Sequence, residues 1–171
     1  MAAMKKPGCI IQRDGEHYTV RIKATAGNLS TEQLTALARI TRQYGRGHLG
    51  LTARLGVEIP WVKAEAIPAV EAELAQVGLA LGGTGPTVRA IVPCKGTVCK
   101  FGLIDTQGLC RTLDERFFGA PTPAKFKTAI TGCPNNCGKA QLGDLGLMGQ
   151  CEPVLEAERC NGCGRCVGVC R

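Results

Sequence analysis

From Tyr18 to Ala24 apolar and polar residues alternate, with Tyr18, Val20, Ile22 and Ala24 set against Thr19, Arg21 and Lys23. That period of two predicts a half-buried strand whose open face carries Arg21 and Lys23. Ser30 followed by Gln33 matches a capping box, and Leu34, Leu37, Ala38 and Ile40 then recur at helical spacing up to Gly45. A strand from about His48 to Arg54 and a shorter one from Ile59 to Val62 come next. After them a helix opens at Pro68, carries Val70, Leu74 and Val77, and stops at Gly78.

The resulting β-α-β-β-α order predicts a small ferredoxin-like α/β layer over residues 16–85, closed by the run Gly82-Gly83-Thr84-Gly85-Pro86. Residues 86–150 read as a second α/β module. It has a strand from Thr87 to Val92, a helix around Gln107 to Phe118, a linker at Pro121 to Pro123, and a strand from Lys125 to Thr131. In that last strand the alternation turns Lys125 and Lys127 to one face and Phe126 to the other. Residues 151–171 are rich in Cys and Gly, with too few large apolar side chains for a core, so this segment needs metal to fold. The fold class is α+β.

Composition narrows the chemistry. Hydrophobic residues at 44% and charged residues at 20% are those of a soluble globular chain. Eleven cysteines, an odd number, rule out complete disulfide pairing, and their clustering is that of metal thiolates. The start MAAMKKPGC has no apolar stretch after its lysines, and no run approaches a membrane helix, so a cytoplasmic protein without membrane contact is expected. There thiols stay reduced and serve metals or catalysis. A net charge of +7 points to an anionic partner: nucleic acid, membrane surface, cofactor or substrate.

Cys160, Cys163, Cys166 and Cys170 have the C-x2-C-x2-C-x3-C spacing of bacterial ferredoxins, which predicts a [4Fe–4S] site, with zinc as the other metal the spacing allows. Arg171 stands where those ferredoxins carry proline, so either the segment is C-terminally shortened or Cys170 or an outside residue such as Cys151 completes a single site. A second constellation pairs Cys94-x4-Cys99 with Cys133-Pro-Asn-Asn-Cys137. Pro134 suits the first turn of a helix, which would put Cys133 and Cys137 one turn apart beside its N–H donors. Four thiolates from two loops suit a [4Fe–4S] cube or a structural zinc ribbon. Arg21, Lys23, Arg54, Arg89, Lys125 and Lys127 all fall on predicted strands or strand ends, so one open sheet face could present several positive charges to a single anion. Gly45-Arg46-Gly47-His48-Leu49-Gly50 matches G-x-G-x-x-G but follows a helix and opens a strand, the reverse of a dinucleotide site. His17 and His48 lie apart from the cysteines and read as surface or packing residues.

These residues resemble the siroheme-containing sulfite and nitrite reductases, in particular small single-repeat members with a ferredoxin tail. The marks are Thr52-x-Arg54, the Thr87-Val88-Arg89 strand, Cys94-Lys95-Gly96-Thr97-Val98-Cys99, Lys125-Phe126-Lys127 and Gly132-Cys133-Pro134-Asn135-Asn136-Cys137-Gly138. The resemblance implies a [4Fe–4S] cluster on Cys94, Cys99, Cys133 and Cys137, the last also bridging to the siroheme iron, and a second [4Fe–4S] cluster in the tail. It implies that Lys23, Arg89, Lys125 and Lys127 bind the substrate anion and that Arg54 and Arg21 contact the macrocycle's carboxylates. The implied reaction is six-electron reduction of sulfite to sulfide, or of nitrite to ammonia, fed by an electron-donor protein. This chain has four residues between the first cysteine pair where many relatives have five, Ala90 for Asn, Leu55 for Gln, and Lys23 where larger relatives carry Arg. Larger relatives hold two copies of the repeat, so a homodimer or a complex with a related subunit is expected. The rival readings are an iron–sulfur electron carrier without siroheme catalysis and a zinc-ribbon nucleic-acid-binding protein. Seven scattered aromatic residues give the latter no stacking platform, and no nucleic-acid partner is expected.

Overall fold

The computed structural model describes residues 6–169. Its first sheet is antiparallel and contains β1 (Cys9–Ile11), β2 (His17–Lys23), β3 (Gly50–Leu51), β4 (Val57–Lys63) and β5 (Ala80–Leu81). The order is β1-β2-β4-β3, with β5 continuing the β1 edge along the second half of β2. The alternation read from sequence holds residue by residue: Tyr18, Val20 and Ile22 are buried, and Thr19, Arg21 and Lys23 look out. Helices α1 (Thr31–Tyr44) and α2 (Ile67–Gln76) cover the buried face, where Leu37, Ile40, Val70 and Leu74 meet Val20, Ile22, Ile59 and Val62. The Ser30 capping box forms with both hydrogen bonds in place.

The predicted strand around His48 to Arg54 shrinks to two residues, because Thr52 to Gly56 forms a tight turn. Leu55 N–H donates to the Thr52 carbonyl (3.0 Å), and Gly56 N–H donates to the Thr52 hydroxyl (3.0 Å). The turn forces Leu55 to a φ of 60°, a region bulky residues avoid. The short strand near Ile59 lengthens to seven residues with a bulge opposite Tyr18 and Val20, which accommodates Pro60 and a left-handed Trp61.

The second sheet is parallel, in the order β6 (Val92–Pro93), β7 (Thr128–Thr131), β8 (Leu145–Met148), with α3 (Thr106–Phe117) packed against it. β7 is central and all four of its residues are buried, as expected of a strand covered on both faces. Two predicted strands are shorter than the sequence suggested. Thr87 and Val88 make only isolated bridges, Val88 pairing in parallel with Phe126, and Lys125 to Lys127 precede β7 rather than forming part of it. The tail ends in the short helix α4 (Arg165–Val169), and every described residue from 151 onward is exposed.

The two sheets are not separately packed. Ala26, in the connection between β2 and α1, is 2% exposed and belongs to the core of the second sheet with Ile91, Cys110 and Ile130. Asn28, two residues on, donates to Gln107 (3.1 Å) and accepts from Lys95 (2.7 Å). Ala26 holds a φ of 55°, so its small Cβ is tolerated in a conformation that larger residues resist. Ala26→Gly is therefore expected to leave stability within about 1 kcal/mol of the parent. Ala26→Val adds both strain and overpacking and is expected to cost about 2–4 kcal/mol in urea denaturation, with both sheets unfolding in one transition.

The inner face of α3 yields a pH prediction. Burial, and next the neighbouring Asp114 carboxylate, push the Cys110 thiol from 9.0 up to about 11. The folded protein therefore keeps a proton that the unfolded chain releases above about pH 9, so stability falls as pH rises from 9 to 11, with an upper bound near 1.4 kcal/mol per pH unit. Denaturation midpoints of Cys110→Ala, compared with the parent across that window, are expected to lack this part of the slope.

Candidate functional site

The Cys94–Cys99 loop begins where β6 ends, and the Cys133–Cys137 loop begins where β7 ends, so adjacent parallel strands deliver both cysteine pairs to one edge. The loops touch backbone to backbone. Cys94 N–H donates to the Ile130 carbonyl (2.8 Å) and Leu103 N–H to the Gly132 carbonyl (2.8 Å). A Cβ on Gly132 would come within 2.9 Å of Gly96 Cα, so this approach requires glycine. Gly132 N–H donates to Cys94 Sγ (3.1 Å), the kind of donor that supports a thiolate.

The helix expected at Pro134 does not form. Cys133 to Cys137 make a turn, closed by Asn136 N–H to the Cys133 carbonyl (3.1 Å), and both Asn136 and Lys139 adopt left-handed φ values that a helix cannot continue through. The Asn136 side chain instead accepts from Ala140 N–H (2.9 Å) and fixes the return of the chain.

Cys94, Cys99, Cys133 and Cys137 all line a single cavity of about 700 Å³, walled also by Arg54 and Leu55 from the first sheet. Cys94 and Cys133 are half-buried, whereas Cys99 and Cys137 are exposed. Among the described residues no three Cys, His, Asp or Glu side chains converge on one ion position. In a [4Fe–4S] cube each thiolate holds its own iron, so the site needs thiols spread around a roomy wall, with small residues and N–H donors between them. This cavity fits that requirement.

Beside it lies a cleft of about 200 Å³ lined by Arg21, Lys23, Arg54 and Arg89. Four of the six cations anticipated on one sheet face thus meet in one place, and Arg54 borders both spaces. Each is tethered differently. Arg21 pairs with Glu58 (3.2 Å), and Lys23 pairs with buried Asp114 (2.5 Å) while sitting over the Phe118 ring (4.3 Å). Arg54 donates to the carbonyls of Ala90 (2.5 and 3.1 Å) and Thr128 (3.3 Å), and Arg89 to the carbonyl of Gly83 (2.9 Å). Arg54 and Arg89 therefore keep their full charge with neutral partners. Burial, and next the nearby Arg89 guanidinium, push Arg54 below its ordinary value, and the Asp144 carboxylate opposes them. Arg89 Nε is buried with no partner.

Lys125 and Lys127 line neither space. The Val88–Phe126 bridge sets Lys127 in register with Arg89, and Lys127 N–H is held by Asp144 (2.7 Å). Cys160, Cys163 and Cys166 are exposed in the tail, with Gly162 and Gly164 at left-handed φ between them, and Cys170 lies outside the described residues. His17 pairs with Asp14 (2.8 Å) and packs edge-on to Trp61, away from the cysteines. Gly45 ends α1 and Gly50 opens β3, the helix-to-strand order that argued against a nucleotide loop. Asp114 is a site residue that sequence reasoning missed. Its signal is a carboxylate four residues after Cys110 on the face of α3 that turns to the core.

Comparison with known proteins agrees with this arrangement. The family model described as the nitrite/sulfite reductase ferredoxin-like half domain matches residues 10–77, and the nitrite and sulphite reductase 4Fe-4S domain matches residues 84–162. Coenzyme F420-dependent sulfite reductase of Methanocaldococcus jannaschii is 36% identical over 166 residues, covering 96% of this chain and 27% of the relative. A subunit of the anaerobic sulfite reductase of Salmonella typhimurium is 34% identical, covering 88% of this chain and 49% of that one. The crystal structure of dissimilatory sulfite reductase I superposes with a TM-score of 0.67 at 26% identity, over 75% of this chain and 31% of that one. The chain thus spans from about a quarter to about half of the length of these relatives. No helix among the described residues is long and apolar enough to cross a membrane. Matched over both its modules, the chain belongs to the siroheme-containing sulfite and nitrite reductase family, whose members bind siroheme and a [4Fe–4S] cluster.

Proposed function

We propose that this chain carries out the six-electron reduction of sulfite to sulfide, with nitrite to ammonia as a second activity. The observation that carries the reading is the adjacency of the four-thiol cavity and the four-cation cleft, joined at Arg54. In this reading residues 16–85 form the ferredoxin-like half domain, 86–150 the siroheme and cluster module, and 151–171 a ferredoxin-type segment with its own cluster. Cys94, Cys99, Cys133 and Cys137 would hold the main cluster, and Cys137, exposed in the cavity lining, would be the thiolate shared with siroheme. Arg21 and Arg54 meet the macrocycle's carboxylates. When bound, siroheme would supply the redox chemistry of the reduction.

The chain's own residues position and charge the site. Arg89 and Arg54 bring to an anion positive charge that no ion pair holds, and Lys23, pinned by Asp114 and Phe118, keeps its ammonium in the cleft wall. Lys127, in register with Arg89, and Lys125 stand outside both spaces and would add only a longer-range positive potential. Cys160, Cys163, Cys166 and Cys170 would hold the tail cluster, which would supply a place for electrons from a donor protein to enter. The protein works in the cytoplasm, as a homodimer or with a related subunit, in line with the Salmonella relative, which is itself one subunit of a reductase.

The absorption spectrum of anaerobically purified protein, with iron, sulfide and tetrapyrrole assays, tests the reading: siroheme bands over a broad iron–sulfur background are expected, and a colourless zinc protein would overturn it. Cys137→Ser is expected to lose siroheme and cluster signals together, whereas full retention with normal turnover would remove Cys137 from the site. Arg89→Met is expected to keep the cofactor spectrum and lower sulfite turnover by roughly 10²- to 10³-fold, the scale for one preorganised electrostatic group. Lys125→Met, which touches neither space, is expected to lose less.

A further inference from the structure

Four buried side-chain polar atoms among the described residues have no hydrogen-bond partner: Gln12 Oε1, Thr87 Oγ1, Arg89 Nε and Thr131 Oγ1. Of these residues only Thr131 lines the cavity of the four cysteines. It is the last residue of β7 and 1% exposed, two positions before Cys133, and the adjoining Gly132 N–H already donates to Cys94 Sγ. The Thr131 carbonyl is taken by Gly149 N–H (2.9 Å), so the backbone here is satisfied and the hydroxyl is the unmet group. Valine would fill the same space without burying an unpaired hydroxyl, and the neighbours in β7 include Ala129 and Ile130. A buried hydroxyl without a partner, on a residue that lines the cavity of the four thiols, calls for an acceptor there, and an anionic sulfur is the kind this cavity would hold.

We propose that Thr131 is a positioning residue for the cluster, its hydroxyl donating to the cluster sulfur at the Cys94 corner and so setting the cluster's reduction potential. The inference rests on the reading of the four thiols as cluster ligands. A hydrogen bond from an uncharged donor to a thiolate or sulfide is strengthened by the acceptor's charge, and that charge grows on reduction. The donor therefore favours the reduced cluster, and removing it moves the potential to more negative values. Together with Gly132 N–H, Thr131 would give the Cys94 corner two donors from consecutive residues of one strand end.

The test is an EPR-monitored reductive titration of the anaerobic holoprotein as parent, Thr131→Val and Thr131→Ser, with iron and acid-labile sulfide measured on each. The expected result is equal iron and sulfide in all three, a more negative cluster potential in Thr131→Val, and a potential near the parent's in Thr131→Ser. The tail cluster does not involve Thr131 and serves as an unshifted reference in the same samples. A fully loaded Thr131→Val protein that titrates at the parental potential would overturn the inference. Should Thr131→Val fail to load, loading by Thr131→Ser and not by Thr131→Ala supports the need for the hydroxyl, while loss in Thr131→Ser as well, or loading by Thr131→Ala at the parental potential, overturns it. Parent protein without iron and sulfide would instead sink the cluster reading itself, and the two failures are told apart by that single assay.

Discussion

Arg54 reaches out of the Thr52–Gly56 turn of the first sheet and gives its guanidinium to the carbonyl oxygens of Ala90 and Thr128, which lie in the second. The rest of the site depends on that tie. The cations of the cleft come mostly from β2 and its surroundings, the thiols from the ends of β6 and β7, and neither set can serve an anion bound near the other unless the two sheets keep a fixed relation. The guanidinium is well suited to the task, because its planar fork satisfies two carbonyls and leaves its charge uncancelled. Ala26, buried in the second core, and the Asn28 contacts to Gln107 and Lys95 hold the same junction from the other side. The left-handed Ala26 and Leu55 are the strained points of this junction, as is common where backbone geometry serves a site.

The electrostatics follow from which cations are cancelled. A net charge of +7 is spread over the whole chain, but in the cleft Arg21 and Lys23 are paired with carboxylates, whereas Arg54 and Arg89 are paired only with carbonyls. Two like charges about 4 Å from a common anion each contribute on the order of 4 kcal/mol at an effective dielectric of 20. The same two charges repel one another when the anion is absent, and that repulsion adds to burial, the larger cause, in pushing Arg54 down. Lys23 has a different part: with Asp114 it forms a neutral pair that joins β2 to α3, so its first contribution is to hold the wall in place.

The sequence made β2, α1, α2 and α3 legible because each obeys a local rule: alternation, a capping box, a proline start, or a helical period ending at glycine. β5, β6 and β8 were obscure for the opposite reason. They are two to four residues long, and their existence depends on a partner distant in the chain rather than on their own pattern. Pro134 misled because proline favours a first helical turn and a β-turn alike. Asn136, the left-handed residue of the turn, was the better signal. The convergence of Arg21, Lys23, Arg54 and Arg89 was readable as a set of positive strand ends, but Asp114 and Thr131 were not, since one polar residue in an apolar register says that something is held there without saying what.

In the proposed reading the two groups of cysteines would be two ways of building a cluster site. In the cavity, hydrogen-bonded strand ends and a glycine contact place the thiols before any iron arrives, so the cost of ordering the loops is met by the cores beneath them. In the tail, Cys160, Cys163 and Cys166 sit on an exposed segment whose turns rely on Gly162 and Gly164 and on one short Asn161 side-chain bond to Cys163 N–H (3.2 Å). Such a segment has no apolar burial with which to oppose its chain entropy, so in the proposed reading metal–thiolate bonds would supply its folding free energy. The cavity site is therefore a property of the fold, while the tail site, in the proposed reading, folds only as it is loaded. The entry point for electrons would then be the part of the molecule most sensitive to iron supply, and the body would keep its shape whether or not that part is assembled.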